Sequence, residues 1–83
     1  TLQVDAPALT YLECSCNKLT RLLLMGCTAL EQIYCNHNPL GQLNICADVH
    51  PNLKILSCFK CDLKTLTLRN LPLLRMLDAS INN

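Results

Sequence analysis

Seven cysteines and two histidines are the most chemically versatile side chains in this 83-residue chain. Cys16 and His37 stand 21 residues apart. In a chain of stacked repeats that spacing would make them neighbours, close enough to share a metal ion. Zinc usually takes four protein ligands, but the next residue at this spacing is Lys60 and no nearby carboxylate offers a third ligand. We therefore predict no metal site and no bound cofactor.

His50, with Asp48 two residues before it, has the residue types of an acid–base pair. A Cys–His nucleophile would also need a third group that orients the histidine inside a pocket. His50 precedes Pro51 in a stretch typical of a turn, which predicts a solvated histidine. The sequence contains no Gly-rich phosphate loop, serine nucleophile motif or H-E-x-x-H. We predict no catalytic residues and a protein that is not an enzyme.

The elements that would position these side chains are copies of one stretch with the pattern L-x-x-L-x-C-x-x-N-x-L. Copies begin at Leu9, Leu30, Leu53 and Leu74, so the period is 21, 23 and 21 residues. A period in this range predicts a leucine-rich repeat solenoid. The expected organisation is a single array, a fragment of a longer protein, with repeats at 9–29, 30–52 and 53–73, a partial repeat at 74–83 and the tail of a preceding repeat at 1–8.

Each copy is expected to place x-L-x-C-x in a short strand whose side chains alternate between inside and outside. In the first copy Leu12 and Cys14 would point in, while Tyr11, Glu13 and Ser15 would point out. Stacked copies would form a parallel sheet on the concave side of a right-handed solenoid. A following x-x-L-x-L segment alternates like a strand. The convex side should therefore be extended chain, giving a mostly β member of the α/β solenoid class with little helix.

Turn signals precede the later copies at Gly26, His50-Pro51-Asn52 and Asn70-Leu71-Pro72. The two extra residues of the longer repeat are expected within 47–51.

Two inward columns are expected to hold the coils together. The cysteine column supplies small apolar side chains, and in-register parallel neighbours do not readily meet disulfide geometry, so free thiols are expected. Asparagine side chains can satisfy backbone groups of the turn after each strand. Cys61 replaces one asparagine with a weaker donor. The predicted ladder residues are Asn17, Asn38, Cys61 and Asn82, with Cys14, Cys35 and Cys58.

The outward columns of the concave sheet form the candidate binding face. They contain all three aromatic residues of the chain (Tyr11, Tyr34 and Phe59), and aromatic side chains are enriched in protein interfaces. Scattered exposed apolar residues are also normal on protein surfaces. The predicted binding residues are Tyr11, Glu13, Gln32, Tyr34, Asn36, His37, Ile55, Phe59, Lys60, Met76 and Asp78.

Composition excludes two classes of partner. Net charge is +1, and the seven Lys/Arg and six Asp/Glu are scattered, so no basic footprint for nucleic acid is present. The longest apolar run, at 22–25, is far shorter than the roughly 20 residues of a membrane-spanning helix. We predict no nucleic-acid binding and no membrane insertion.

The copies at 9–20 and 29–38 resemble one bacterial group of leucine-rich repeats, the 21-residue cysteine type found in internalin-J-like surface proteins. That resemblance implies a reduced cysteine ladder beneath the concave sheet, extracellular display and a role in adhesion or recognition. A second group is similar in outline, namely bacterial effectors whose repeats select substrates for a ubiquitin ligase domain. Those carry Leu-Pro-x-Leu-Pro convex segments, which this chain lacks.

The expected function is a non-catalytic module that recognises a protein or glycan ligand through its concave face, on the cell surface or secreted. One alternative is the substrate-recognition segment of a larger effector enzyme, cytoplasmic or delivered to a host cell. The other is a structural element that stacks end to end with further copies.

Overall fold

The computed structural model describes residues 1–46 and 50–82, with only the backbone of Cys46. Within these residues the chain forms strands and no helix. None of the described segments is a helix long and apolar enough to cross a bilayer. The strands are β1 (Leu2–Gln3), β2 (Tyr11–Glu13), β3 (Leu22–Leu23), β4 (Gln32–Tyr34), β5 (Gln42–Cys46), β6 (Ile55–Ser57), β7 (Thr65–Arg69) and β8 (Met76–Asp78).

One side of the molecule is a four-stranded parallel sheet in the order β2-β4-β6-β8. Leu12 stands opposite Ile33, Ile33 opposite Leu56, and Leu56 opposite Leu77. Each step across the sheet therefore advances the chain by one repeat. This is the register that the leucine spacing predicts, and the parallel sheet is confirmed.

The second side consists of two parallel pairs, β1 with β3 and β5 with β7. Leu43 and Ile45 of β5 stand opposite Leu66 and Leu68 of β7, so the alternating segments are extended as expected. Pairing does not continue from β3 to β5 among the described residues. The second side is therefore interrupted between the first and second repeats, whereas the first side is continuous.

The core lies between these two sides and is built from repeated columns. Leu30 and Leu53 are fully buried, as are Ile33 and Leu56. Burying an aliphatic side chain of this size stabilises the fold by about 1.5–3 kcal/mol. The cysteines at 14, 35, 58 and 61 are also buried in this core. Because every coil contributes the same columns, the predicted mostly β solenoid is confirmed.

A β-turn stands immediately before each copy. Its closing hydrogen bond runs from the first leucine of the copy to the carbonyl three residues earlier, as from Leu53 N–H to His50 O at 3.3 Å. Three of the four turns have proline at the second position, where its fixed φ is favourable: Pro7, Pro51 and Pro72. The insertion predicted within 47–51 falls partly on 47–49, which lie outside the described residues.

A residue with left-handed backbone (positive φ) follows each strand of the four-stranded sheet. In the first and third repeats a second left-handed residue lies two positions beyond it. These second residues are Lys18 and Asp62, with φ of 57° and 55°. Pro39 takes their place in the second repeat, and its ring holds φ near −65°. There the left-handed residue is Gly41, with φ of 77°. The four equivalent left-handed residues after the strands are Cys16, His37, Lys60 and Ile81.

Asn38 connects the first two repeats. Its Oδ1 accepts from the backbone N–H of Asn17 at 3.0 Å and of Leu19 at 2.9 Å. Its Nδ2 donates to the carbonyls of Cys14 at 2.9 Å and Cys35 at 3.0 Å. The side chain is fully buried, so these bonds satisfy backbone groups that water cannot reach.

Asn82 repeats this arrangement between the third and fourth copies. Its Oδ1 accepts from the N–H groups of Cys61 and Leu63, each at 2.9 Å. Its Nδ2 donates to Cys58 O at 3.0 Å and Ala79 O at 2.9 Å. The asparagine side chain thus serves the same backbone positions at both ends of the described array.

One prediction about a single residue was wrong, and the burial of another residue was not predicted. His50 was expected in solvent but is 3% exposed, because the start of the turn faces the interior. Cys27 lies outside the repeat columns that the sequence predicts, yet it is fully buried at the equivalent turn position. His50 Nδ1 lies 3.2 Å from Cys27 O, and Cys27 Sγ donates to Val4 O at 3.4 Å. Asp48, the proposed partner of His50, lies outside the described residues.

Candidate functional site

The candidate site is the outward face of the four-stranded sheet together with the residues that follow each strand, hereafter the sheet face. Parallel pairing brings equivalent side chains into rows. The first row is Tyr11, Gln32, Ile55 and Met76, and the second is Glu13, Tyr34, Ser57 and Asp78. The eleven residues predicted for binding all occur on this face, and each is at least partly exposed.

Two tyrosines form the most prominent apolar feature of the sheet face. Tyr11 is 53% exposed and lies diagonally beside Tyr34, with ring centroids 5.5 Å apart and ring planes at 45°. The Tyr34 hydroxyl donates to Gln32 Oε1 at 2.9 Å. That bond fixes the ring of Tyr34, so the pair presents a preorganised aromatic surface.

His37 and Phe59 form a second ring contact at the end of the strands. Their centroids are 5.2 Å apart in an edge-to-face arrangement. A shallow depression of about 440 Å³ lies beside His37 and includes Lys60 and Ile81. His37 therefore packs on an aromatic ring at the edge of this depression. Among residues 1–46 and 50–82, no group of three or more His, Cys, Asp or Glu side chains is arranged to hold a metal ion.

The carboxylates of Glu13 and Asp78 are engaged in turns after their own strands. Glu13 Oε1 accepts from Ser15 N–H at 2.7 Å, and Asp78 Oδ1 accepts from the N–H and hydroxyl of Ser80 at 3.1 and 2.6 Å. These hydrogen bonds to Ser15 and Ser80 hold the pKa of each carboxyl below its usual value. Both groups remain charged on the surface, but their orientation is set by the turn.

Asn36 and Ser57 have a structural role that the repeat pattern did not reveal. Ser57 belongs to an outward row of the sheet but is only 6% exposed, and its hydroxyl donates to Asn36 Oδ1 at 2.8 Å. The same oxygen accepts from Phe59 N–H at 2.7 Å. Asn36 is thus a bridge between the second and third repeats. Because the Asn36 side chain is half-buried and its Oδ1 already accepts two hydrogen bonds, it is less available to a ligand than an exposed amide would be.

One ion pair lies just before the strands of the sheet. Lys54 Nζ is 2.8 Å from Glu31 Oε1 across neighbouring repeats. Both side chains are more than a third exposed, and exposed pairs of this kind contribute little stability. The pair fixes local charge at one edge of the sheet face without creating a binding pocket.

The buried thiols beneath the sheet are poor nucleophiles. Burial is the main cause that raises the pKa of Cys58 to about 11 and the pKa values of Cys14 and Cys35 above the ordinary thiol value. Nearby Cys61 adds to the effect at all three. The thiolate is the reactive species, so this column suits packing. The six cysteines whose side chains are described, at 14, 16, 27, 35, 58 and 61, are unbonded thiols.

No protein-family model, curated protein or solved structure matches this chain.

Proposed function

We propose that this chain is a non-catalytic binding module that recognises a protein ligand, or a glycan, through the sheet face. The observation that carries the proposal is the exposed Tyr11–Tyr34 pair, held in place by the Gln32 hydrogen bond. Tyrosine gives a large contact area at a low cost in side-chain entropy, which is why it is common in binding hot spots.

The surroundings of the tyrosine pair support this role. Ile55 and Met76 continue the row that begins at Tyr11, and Met76 is 48% exposed. The result is an apolar strip on a sheet whose margins carry Glu13, Asp78 and Lys60. An apolar centre with a polar margin is the usual arrangement of a protein interface.

We further propose that the array is a leucine-rich repeat of the bacterial cysteine type and that it acts on the cell surface or after secretion. Support comes from the L-x-x-L-x-C-x-x-N-x-L pattern and from the thiol and asparagine ladders that it produces. The alternative role, as the substrate selector of a larger effector enzyme, would use the same face.

The proposal is tested by selecting a phage-displayed random peptide library on the immobilised protein and by probing a glycan array with it. Ligands recovered from either source are expected to bind Tyr11→Ala/Tyr34→Ala at least about tenfold more weakly, the usual loss at a hot spot. The matched control is Leu73→Ala, which removes an exposed apolar side chain outside the sheet face. Ligands that bind the double variant as tightly as the wild type would refute the proposed face.

A further inference from the structure

A groove of about 750 Å³ lies where the pairing of the second side is interrupted, between β3 and β5. This volume falls in the ordinary range of ligand pockets, about 300–1,000 Å³. Its walls include Leu22, Leu23 and Leu24 from one repeat and Leu43, Asn44 and Ile45 from the next. The groove is distinct from the sheet face, whose rows run along the four-stranded sheet.

Both walls of the groove are strand edges. β3 pairs with β1 and β5 pairs with β7, and neither has a second partner among the described strands. Continuing the repeat register would pair Leu22 with Leu43, as Leu43 pairs with Leu66, but that pairing does not form. Unpaired edges present rows of backbone donors and acceptors that can accept another strand.

The side chains around the groove indicate what could enter it. Its floor is aliphatic, with Leu24, Leu43 and Ile45 almost completely buried. Among the described residues that line it, Arg21 and Lys64 are permanently charged, and both are exposed. A complementary ligand therefore combines aliphatic side chains directed at the floor with negative charge at the rim.

We propose that this groove binds an extended acidic peptide by strand addition, completing a β1-β3-peptide-β5-β7 sheet. Main-chain hydrogen bonds to the two edges supply affinity, as in other cases of β-augmentation. Alternate aliphatic side chains of the peptide pack on the leucine floor, because side chains on a strand alternate between faces. Its intervening acidic side chains lie near Arg21 and Lys64. The proposal does not depend on ligand binding at the sheet face.

The test measures binding of a fluorescein-labelled heptapeptide of alternating leucine and glutamate by fluorescence anisotropy. We expect saturable binding that weakens at least about tenfold for Arg21→Glu/Lys64→Glu. The matched control, Lys18→Glu/Arg75→Glu, makes the same change in charge at exposed residues that do not line the groove and should bind as the wild type does. Circular dichroism verifies that each variant is folded.

Two further probes separate strand addition from general adhesion. A peptide of the same sequence with alternate backbone nitrogens methylated should not bind, because it lacks the donors for the sheet. Amide hydrogen exchange should show slower exchange in 21–25 and 41–46 when the unmodified peptide is bound.

The proposal is overturned by absent saturable binding, by equal binding of the methylated peptide, by equal loss in the control variant, or by protection confined to β2, β4, β6 and β8. Strong protection at both edges in the free protein would also overturn it, since β3 and β5 would then pair with each other. The Tyr11→Ala/Tyr34→Ala variant should bind the peptide as tightly as the wild type does. That result would show that the peptide does not bind at the sheet face.

Discussion

Asn38 and Cys61 occupy the same position in adjacent repeats, and each donates to a backbone carbonyl one repeat earlier. Asn38 Nδ2 reaches Cys14 O at 2.9 Å, and Cys61 Sγ reaches Cys35 O at 3.0 Å. A thiol has no carbonyl oxygen with which to accept the neighbouring amides. Leu40 N–H donates instead to two backbone carbonyls, those of Asn38 at 2.7 Å and Cys61 at 3.0 Å. The cysteine therefore retains the donor of the ladder, while the main chain supplies an acceptor.

Replacing Asn38 with alanine should destabilise the solenoid more than the same change at Asn17. Asn38 is fully buried and joins two repeats, whereas the Nδ2 of Asn17 donates only within its own turn. Each buried backbone group left without a partner costs about 1–3 kcal/mol. We expect Asn38→Ala to lower the free energy of unfolding by roughly 3 kcal/mol in urea titrations, and Asn17→Ala to lower it by clearly less. Equal losses of stability in the two variants would contradict the role of Asn38 in joining the first two repeats.

The coils were predictable from sequence because leucine spacing records which residues face inward. A strand alternates with a period of two, so once Leu12 and Cys14 are placed inside, the register of the whole sheet follows. The buried residue at the start of each β-turn was harder to predict. Counting three residues back from the first leucine of each copy gives Cys27 and His50, and that arithmetic could have revealed both as buried.

The division of the second side could not be predicted in the same way. Leu22 and Leu43 stand in the same x-x-L-x-L segment, so their local patterns do not distinguish paired from unpaired strands. What differs is the backbone route into β5, where Pro39 excludes the left-handed conformation and Gly41 adopts it. This difference changes where β5 lies relative to β3, and it does not alter the spacing of the leucines from which the strands were predicted. The burial of Ser57 was missed for a similar reason, since it depends on the Asn36 side chain of another repeat.

Cysteine alkylation should divide the six thiols whose side chains the structure describes into one fast site and a slow group. Cys16 is exposed, whereas Cys14, Cys35 and Cys58 are buried and have raised pKa values. At mildly alkaline pH, iodoacetamide should therefore modify Cys16 first. The buried thiols should react only after opening of the fold, since the thiolate is the nucleophile.

Peptide mapping by mass spectrometry follows each cysteine separately. The same reaction in denaturant is the control, in which the sites should react at similar rates. Rapid modification of Cys35 in the folded protein would contradict burial of the ladder.

The stability of the fold should decrease as the pH falls below about 6.5, the ordinary pKa of histidine. Burial lowers the pKa of His50 in the folded protein, and its hydrogen bond to Cys27 O only partly opposes this. The unfolded chain consequently binds the proton more readily than the folded chain does. The contribution is fully present above the unfolded pKa and is lost as the pH falls through the lower folded value.

His50→Leu is the informative variant, because Leu71 already occupies the equivalent turn position in the next repeat. Urea denaturation across the pH range should show a shallower acid-side decline for His50→Leu than for the wild type. His37→Gln, which changes an exposed histidine, is the matched control. Parallel curves for the wild type and His50→Leu would show that His50 is not responsible.

The 83-residue chain produced alone should associate through the side of β8 that has no strand partner among the described residues. Leu77 belongs to the same inward column as Leu56 and Ile33, which are fully buried, yet Leu77 is 45% exposed. A parallel strand stacked on β8 would bury it, and a head-to-tail contact of this type can extend to further copies. Sedimentation velocity should show larger species as concentration increases for the wild type, and a monomer for Leu77→Glu. Leu73→Glu is the matched control, because Leu73 is 46% exposed but lies in the turn before β8. A wild-type monomer at all concentrations, or equal loss of association in both variants, would contradict stacking through β8.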